Sequence, residues 1–219
     1  MAASSGSART DFGKLIMVPV AAVMLAFDVA SLVHHGAAGA TGAAGALRWL
    51  GVAGVGAFYA LIICSYLRRG PAAATSGSVT GHAAAVVATF APFVFPLLGG
   101  SRPGEGRQFA ADALLLAGTT WSVWSLRFLG RNLSVLAQAR DIVDRGPYRW
   151  VRHPLYAGEI VSSLGLAVAA GSAATAALWL TLCALQGYRA LREEQVLLRT
   201  LPGYRGYRSR TAALIPGLF

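Results

Sequence analysis

Six apolar stretches, each close to the length that crosses a bilayer, decide most of what this chain can fold into. They cover roughly 14–34, 47–67, 82–100, 109–130, 154–171 and 173–191, and about 20 apolar residues in helical form span a hydrocarbon core. Backbone inside lipid must satisfy its own hydrogen bonds, which a helix does within itself. The predicted fold class is therefore all-α: a multi-pass transmembrane helical bundle of about six membrane helices (five to six). Only 13% of the residues are charged, against roughly 25% in soluble domains, and the mean hydropathy of +0.55 agrees. The last two stretches are separated only by "GSA" and read as a tight helical hairpin. Helices and short loops consume nearly the whole length, leaving no room for a separate soluble domain.

The first stretch, "KLIMVPVAAVMLAFDVASLVHH", follows a polar arm, contains Asp28 and is longer than a signal-peptide core, so it reads as a retained helix. Asp28, near its middle, is an intramembrane acid and so a functional feature by default. Pairing with a basic or hydroxyl group and marking a polar substrate tunnel are both open.

A net charge of +10 invites a nucleic-acid reading, but the positions of the charges argue against it. With the N-terminus inside, sixteen of the nineteen basic residues fall on the cytoplasmic side and only Arg48, Arg102 and Arg107 outside. This is the asymmetry that orients membrane proteins, and basic segments beside a membrane attract anionic lipid head groups. The expectation is an inner-membrane protein with both termini cytoplasmic and no nucleic-acid partner. Cys64 and Cys183 lie within apolar stretches and read as packing residues. His34 and His35, being adjacent, do not share a helical face, and no metal site is expected. No C-a-a-X box ends the sequence and no G-x-G-x-x-G phosphate turn follows a strand.

Up to about residue 125 polar residues are sparse; from Arg127 onward Arg, Glu and Tyr crowd the segments between helices. The chain divides into N-terminal membrane helices one to four (1–126) and a chemically richer C-terminal region (127–219), in one integrated domain. Two segments, 131–153 and 189–219, meet at the open end of the hairpin and form one composite site. In the first, Gly146-Pro147 punctuates a turn and His153-Pro154 starts a helix, with proline suited to the first turn. The free N–H groups of a helix start favour a carboxylate. Glu159 follows about a turn and a half further in. In the second, "YRALREEQVLLRTL" spaces Arg189, Glu193 and Leu197 four apart and reads as an interfacial helix carrying carboxylates back toward the membrane.

Three elements in order carry a resemblance: G-x-Y-x-x-x-R-H-P-x-Y at Gly146 to Tyr156, R-x-x-x-E-E-x-x-L at Arg189 to Leu197, and Y-x-x-Y at Tyr204 and Tyr207 with Pro216 beyond. Over roughly 127–218 the chain resembles the isoprenylcysteine carboxyl methyltransferase family and the related phospholipid N-methyltransferases. The resemblance implies S-adenosylmethionine in a cytoplasmic pocket and a lipophilic substrate arriving laterally from the bilayer. Tyr148, His153, Pro154, Leu155 and Tyr156 would then line the cofactor, and Glu194 would accept hydrogen bonds from its ribose hydroxyls or amino group. Arg189 would orient an anionic substrate group; Glu193 would pair with Arg189 or contact substrate. Methyl transfer from a sulfonium needs no metal. A carboxylate acceptor needs no general base, whereas an amine needs a proton removed, and the residues leave both open. The prenylcysteine carboxylate is the family's namesake acceptor; another lipid or small amphiphile is equally open. Two other readings stand beside this one: a sterol-type membrane reductase using NADPH, and a non-enzymatic scaffold whose basic loops serve topology. Tyr204 and Tyr207 on their own also fit an aromatic belt at the interface.

Overall fold

The computed structural model describes residues 12–35, 42–68, 74–75, 79–100, 103–133, 138–139 and 141–215. All six apolar stretches fold as helix: α1 (Phe12–His35), α2 (Gly42–Arg68), α3 (Val79–Phe90), α4 (Glu105–Leu129), α5 (Pro154–Ala170) and α6 (Ala173–Thr200), with a short α7 (Tyr204–Arg208) in the tail. Extended pairing among the described residues is confined to a two-residue antiparallel pair, β1 (Ala74–Thr75) with β2 (Gln138–Ala139), and a bridge between Val151 and Ala212. The side chains of His34 and His35 lie outside the described residues.

Among the described residues one helix, α2, is by itself long and apolar enough to cross a membrane; Ala83–Phe95 and Pro154–Ala170 are shorter apolar helices. Most of α2 faces outward, and Phe27, Leu97 and Leu180 are exposed large apolar side chains on other segments. An apolar exterior of this kind marks a surface that meets lipid or another protein.

Local sequence explains where helices stop. The predicted third stretch is not one helix: α3 gives way at Ala91 to a 3-10 segment reaching Leu98. Pro92 and Pro96 cannot donate to the helical ladder, which breaks the α-form. Gly171 takes the left-handed conformation at φ +62° and its N–H reaches Ala167 O at 2.9 Å, closing α5. Ser172 then caps α6, with its hydroxyl and that of Thr175 each bonded to the other's backbone N–H at 3.1 Å. A second expectation is corrected at the far end. The Glu193-Glu194 segment is not a separate interfacial helix; α6 runs unbroken through it to Thr200. "ALREEQVLLRT" consists almost wholly of strong helix formers, and the first breaker is Pro202-Gly203.

The tightest contact in the bundle is between α4 and α5. Gly118 and Gly158 face each other so closely that a Cβ added to either would fall 2.6–2.8 Å from the partner's carbonyl oxygen, and Gly165 meets Ala111 O in the same way at 2.6 Å. Small residues let membrane helices approach at backbone distance. Trp121 and Trp179 flank α5 and donate their indole N–H to Pro154 O (2.8 Å) and Ile160 O (3.0 Å). Met17 of α1, Tyr66 of α2, Leu126 of α4, Leu133 of the connector that follows α4, and Leu155 of α5 pack in one buried cluster. That cluster joins the N-terminal helices to the start of α5.

Candidate active site

The connector before α5 is shaped by close packing. Gly146 lies at φ +59° with the Phe128 ring where a Cβ would be, so no other residue fits there without strain. The 3-10 turn Gly146–Arg149 buries Tyr148, whose carbonyl accepts from Tyr207 Oη at 2.7 Å. The tail then lies along the connector: Arg152 N–H bonds to Ala212 O (2.8 Å) and His153 N–H to Ala213 O (3.0 Å). Connector and tail are thus held together before any side chain contributes.

Glu194 fastens them to α6. One carboxylate oxygen meets Arg152 Nε at 2.6 Å and His153 Nε2 at 3.3 Å, the other Arg208 Nε at 3.0 Å. Arg152 also donates to the carbonyls of Arg208 and Thr211. Burial alone would raise the Glu194 carboxyl; hydrogen bonds from His153 and Arg152 outweigh it and hold the group at about 2. A depressed carboxyl stabilises the fold above its ordinary value and ceases to do so as pH falls through the folded value. Protection of the Arg152 and His153 amides from hydrogen exchange is therefore expected to persist from neutral pH to about 4.5 and to disappear toward pH 2. Loss of protection already above pH 5 would contradict the assignment.

Glu193, the neighbouring acid, points elsewhere. It accepts from Tyr156 Oη at 2.9 Å and lies 3.7 Å from His153 Nδ1. The His153 and Tyr156 rings are parallel within 3° with centroids 5.4 Å apart, and the Arg189 guanidinium carbon sits 4.7 Å over the Tyr156 ring. Arg189 is buried and donates to Gln186 Oε1 (2.9 Å), while Gln186 Nε2 donates to Glu159 Oε2 (2.6 Å). A glutamine thus bridges a buried cation and a half-buried acid.

Two hollows meet at this stack. A cavity of about 400 Å3 runs into the bundle, walled by apolar side chains from all six long helices and ending on Tyr156, Glu159, Gln186 and Arg189. A smaller cleft, enclosing about 50 Å3, lies on the connector side between Leu129, Asn132, Asp141–Val143, Tyr148, Arg152, His153, Glu193, Leu197, Tyr204 and Tyr207. Tyr156 is the partition, its ring toward the cavity and its hydroxyl bonded to a cleft residue.

Of the residues singled out in the sequence, Tyr148, His153 and Glu193 line the cleft, and Arg189, Leu155 and Tyr156 line the cavity. Pro154 is the buried first residue of α5, and Glu194 is engaged by Arg152, His153 and Arg208. Tyr204 and Tyr207 are buried in the cleft wall, where burial first of all keeps their hydroxyls well above the usual range and neutral; they are not interface-belt aromatics. Gln186, Asn132 and the second role of Arg152 are not legible as site features from sequence. Arg152 reads there as one more topological charge, and a lone Gln in an apolar stretch carries no signal without its two partners.

The described residues thus form a helical bundle with an apolar exterior, an apolar cavity ending on a charged group, and a carboxylate-bearing cleft beside it, with one aromatic ring between the two. Residues 107–202 match the phospholipid methyltransferase family model. An 82-residue stretch is 35% identical to the nickel-cobalt-cadmium resistance protein NccN of Alcaligenes xylosoxydans xylosoxydans. The match covers 37% of this chain and 38% of that protein. Among the described residues no three His, Cys, Asp or Glu side chains converge on a metal position.

Proposed function

We propose that the protein transfers a methyl group from S-adenosylmethionine, bound in the connector-side cleft, to a lipophilic acceptor held in the membrane cavity. The observation that carries this reading is the packing of both His153, a cleft residue, and Arg189, a cavity residue, on the one ring of Tyr156. The cleft residues suit the cofactor. Asn132 Oδ1 is a buried acceptor with no hydrogen-bond partner among the described residues, Glu193 presents a carboxylate beside the stack, and Leu129 and Leu197 offer apolar faces. The enclosed volume is below the roughly 300–1,000 Å3 of ordinary ligand sites, so binding requires the tail and the Asp141–Val143 segment to part. Tyr148, His153, Pro154, Leu155 and Tyr156 would hold the cofactor, and Glu194 would act on it by keeping Arg152, His153 and Arg208 in place.

The cofactor supplies a methyl on a sulfonium, a good leaving group, so the chain's task is alignment; proximity can contribute on the order of 7–11 kcal/mol. Arg189 would orient an anionic acceptor at the cavity end. For an amine acceptor, Glu159 lies in the same wall and could take the released proton. The basic asymmetry of the sequence supports placing the cleft and both termini on the cytoplasmic side of the cell membrane.

Calorimetry with S-adenosylmethionine, S-adenosylhomocysteine and NADPH on the purified protein tests the reading. Binding of the first two is expected. Preference for NADPH would favour a reductase, and silence with all three in a folded sample a scaffold. Glu194→Ala is expected to weaken cofactor binding at least tenfold, about 1.4 kcal/mol, because it frees three positively polarised groups that shape the cleft. Unchanged affinity would refute the role of Glu194.

A further inference from the structure

Where α4 ends, the bundle carries a corner of aromatic rings that lines neither hollow. Trp121 and Trp124 pack edge to face with centroids 5.2 Å apart, Trp124 meets Phe128 in the same way at 6.2 Å, and Trp150 of the connector tilts onto Trp124 at 5.7 Å. The corner is open to the outside: Trp150 is 45% exposed and Phe128 39%. Half-exposed tryptophan at the end of an apolar helix is what collects at the level of lipid head groups.

Three arginines surround these rings. Arg149 holds its guanidinium carbon 5.3 Å from the centre of the Trp150 ring. Arg127 follows Trp124 by three positions and so shares its helical face with Phe128. Arg145 adjoins Gly146, against which the Phe128 ring is pressed. All three are exposed, and none forms an ion pair with a described residue. The exposed acids of the connector lie on its other side: Asp141 lines the cleft, and Asp144 is within electrostatic reach of Tyr207 in the cleft wall. A guanidinium held over a ring keeps its donors for an anion, and its fork matches the oxygens of a phosphate.

We propose that this corner binds an anionic phospholipid, its head group taken by Arg127, Arg145 and Arg149 and its chains lying against Phe128 and Trp150. A zwitterionic lipid carries a cation of its own into the same three positive charges, so the corner selects for net negative charge. The residue that faces the lipid is also part of the scaffold of the cleft. Trp150 N–H bonds to Pro147 O at 3.1 Å and Trp150 O accepts from Ala212 N–H at 3.2 Å, in the turn that carries Tyr148 into the cleft. The bound lipid thereby anchors connector and tail at the membrane surface. This role depends on the membrane placement of the bundle and not on which cofactor fills the cleft.

Tryptophan quenching tests it, on the full chain reconstituted in phosphatidylcholine and titrated with phosphatidylglycerol or phosphatidylcholine carrying a doxyl label near the head group. Wild type is expected to favour labelled phosphatidylglycerol by at least about fivefold, the worth of one arginine at an anionic surface. Arg127→Gln/Arg145→Gln/Arg149→Gln should bring the ratio to near one. Arg205→Gln/Arg210→Gln, which removes two exposed charges of the tail, should keep most of the preference. Equal quenching by both lipids in the wild type, or an unchanged preference in the triple variant, overturns the proposal. So does an equal loss in the tail variant, which would mean a diffuse basic surface, and so does displacement by excess soluble glycerol phosphate, which would mean a site for free phosphate. Should the triple variant not fold, Arg149→Gln alone decides: it must lower the preference, and an unchanged ratio overturns the proposal.

Discussion

Gly118→Ala is expected to destroy the folded bundle. The added Cβ would fall 2.6 Å from Gly158 O and 2.8 Å from Ser162 Cα, and closer still to Ser162 N. All three are backbone atoms of α5, so no rotamer change relieves the clash, and α5 itself must move. It is held on its other side by the indole of Trp179 and at its start by Trp121. Overpacking a tight core costs 1–3 kcal/mol when side chains can adjust; against backbone the cost is expected to exceed about 3 kcal/mol. Thermal melting in detergent, followed by circular dichroism and size exclusion, provides the measurement. Gly187→Ala is the control, because nothing lies within 4 Å of its added Cβ, and alanine favours the helix. A Gly118→Ala protein melting with the wild type would mean that α4 and α5 do not touch as described.

Arg189→Ala is expected to lower turnover on the order of 100-fold, the usual cost of losing one oriented donor at a reacting centre, while S-adenosylmethionine affinity changes by less than about threefold. The separation follows from position: Arg189 lines the cavity, whereas His153 and Glu193 line the cleft. Arg189→Lys keeps the charge but not the planar guanidinium that stacks on Tyr156 and meets Gln186, so it should recover only part of the activity. Single-turnover methylation and calorimetry on the same preparations separate the two effects. A loss confined to cofactor affinity would move Arg189 into the cofactor site and remove its substrate role.

The depressed carboxyl of Glu194 shows why part of this site stays hidden in sequence. Arg152, His153, Glu194 and Arg208 are spread over 57 positions, and nothing in their spacing says that one carboxylate receives all three. The Glu-Glu pair reads as two similar acids; folded, one is a structural clasp and the other faces the cleft. The third helix fails as a continuous prediction because hydropathy counts Pro92 and Pro96 as nearly neutral, while the backbone counts them as lost donors.

The sequence alone determined the helical class, because six apolar stretches leave the backbone few other ways to satisfy its hydrogen bonds. It also determined the family-like motifs, since Gly146, His153-Pro154 and the Arg189–Glu194 spacing are local demands of a turn, a helix start and one helical face. The tertiary structure decided which groups share a site. Only packing could bring Glu159, Gln186 and Arg189 into one chain and raise Tyr156 as a wall between two hollows. The N-terminal helices carry little chemistry of their own, but their side chains form the wall that gives the C-terminal residues a dry space to work in, where charge and hydrogen bonds count for more than they do in water.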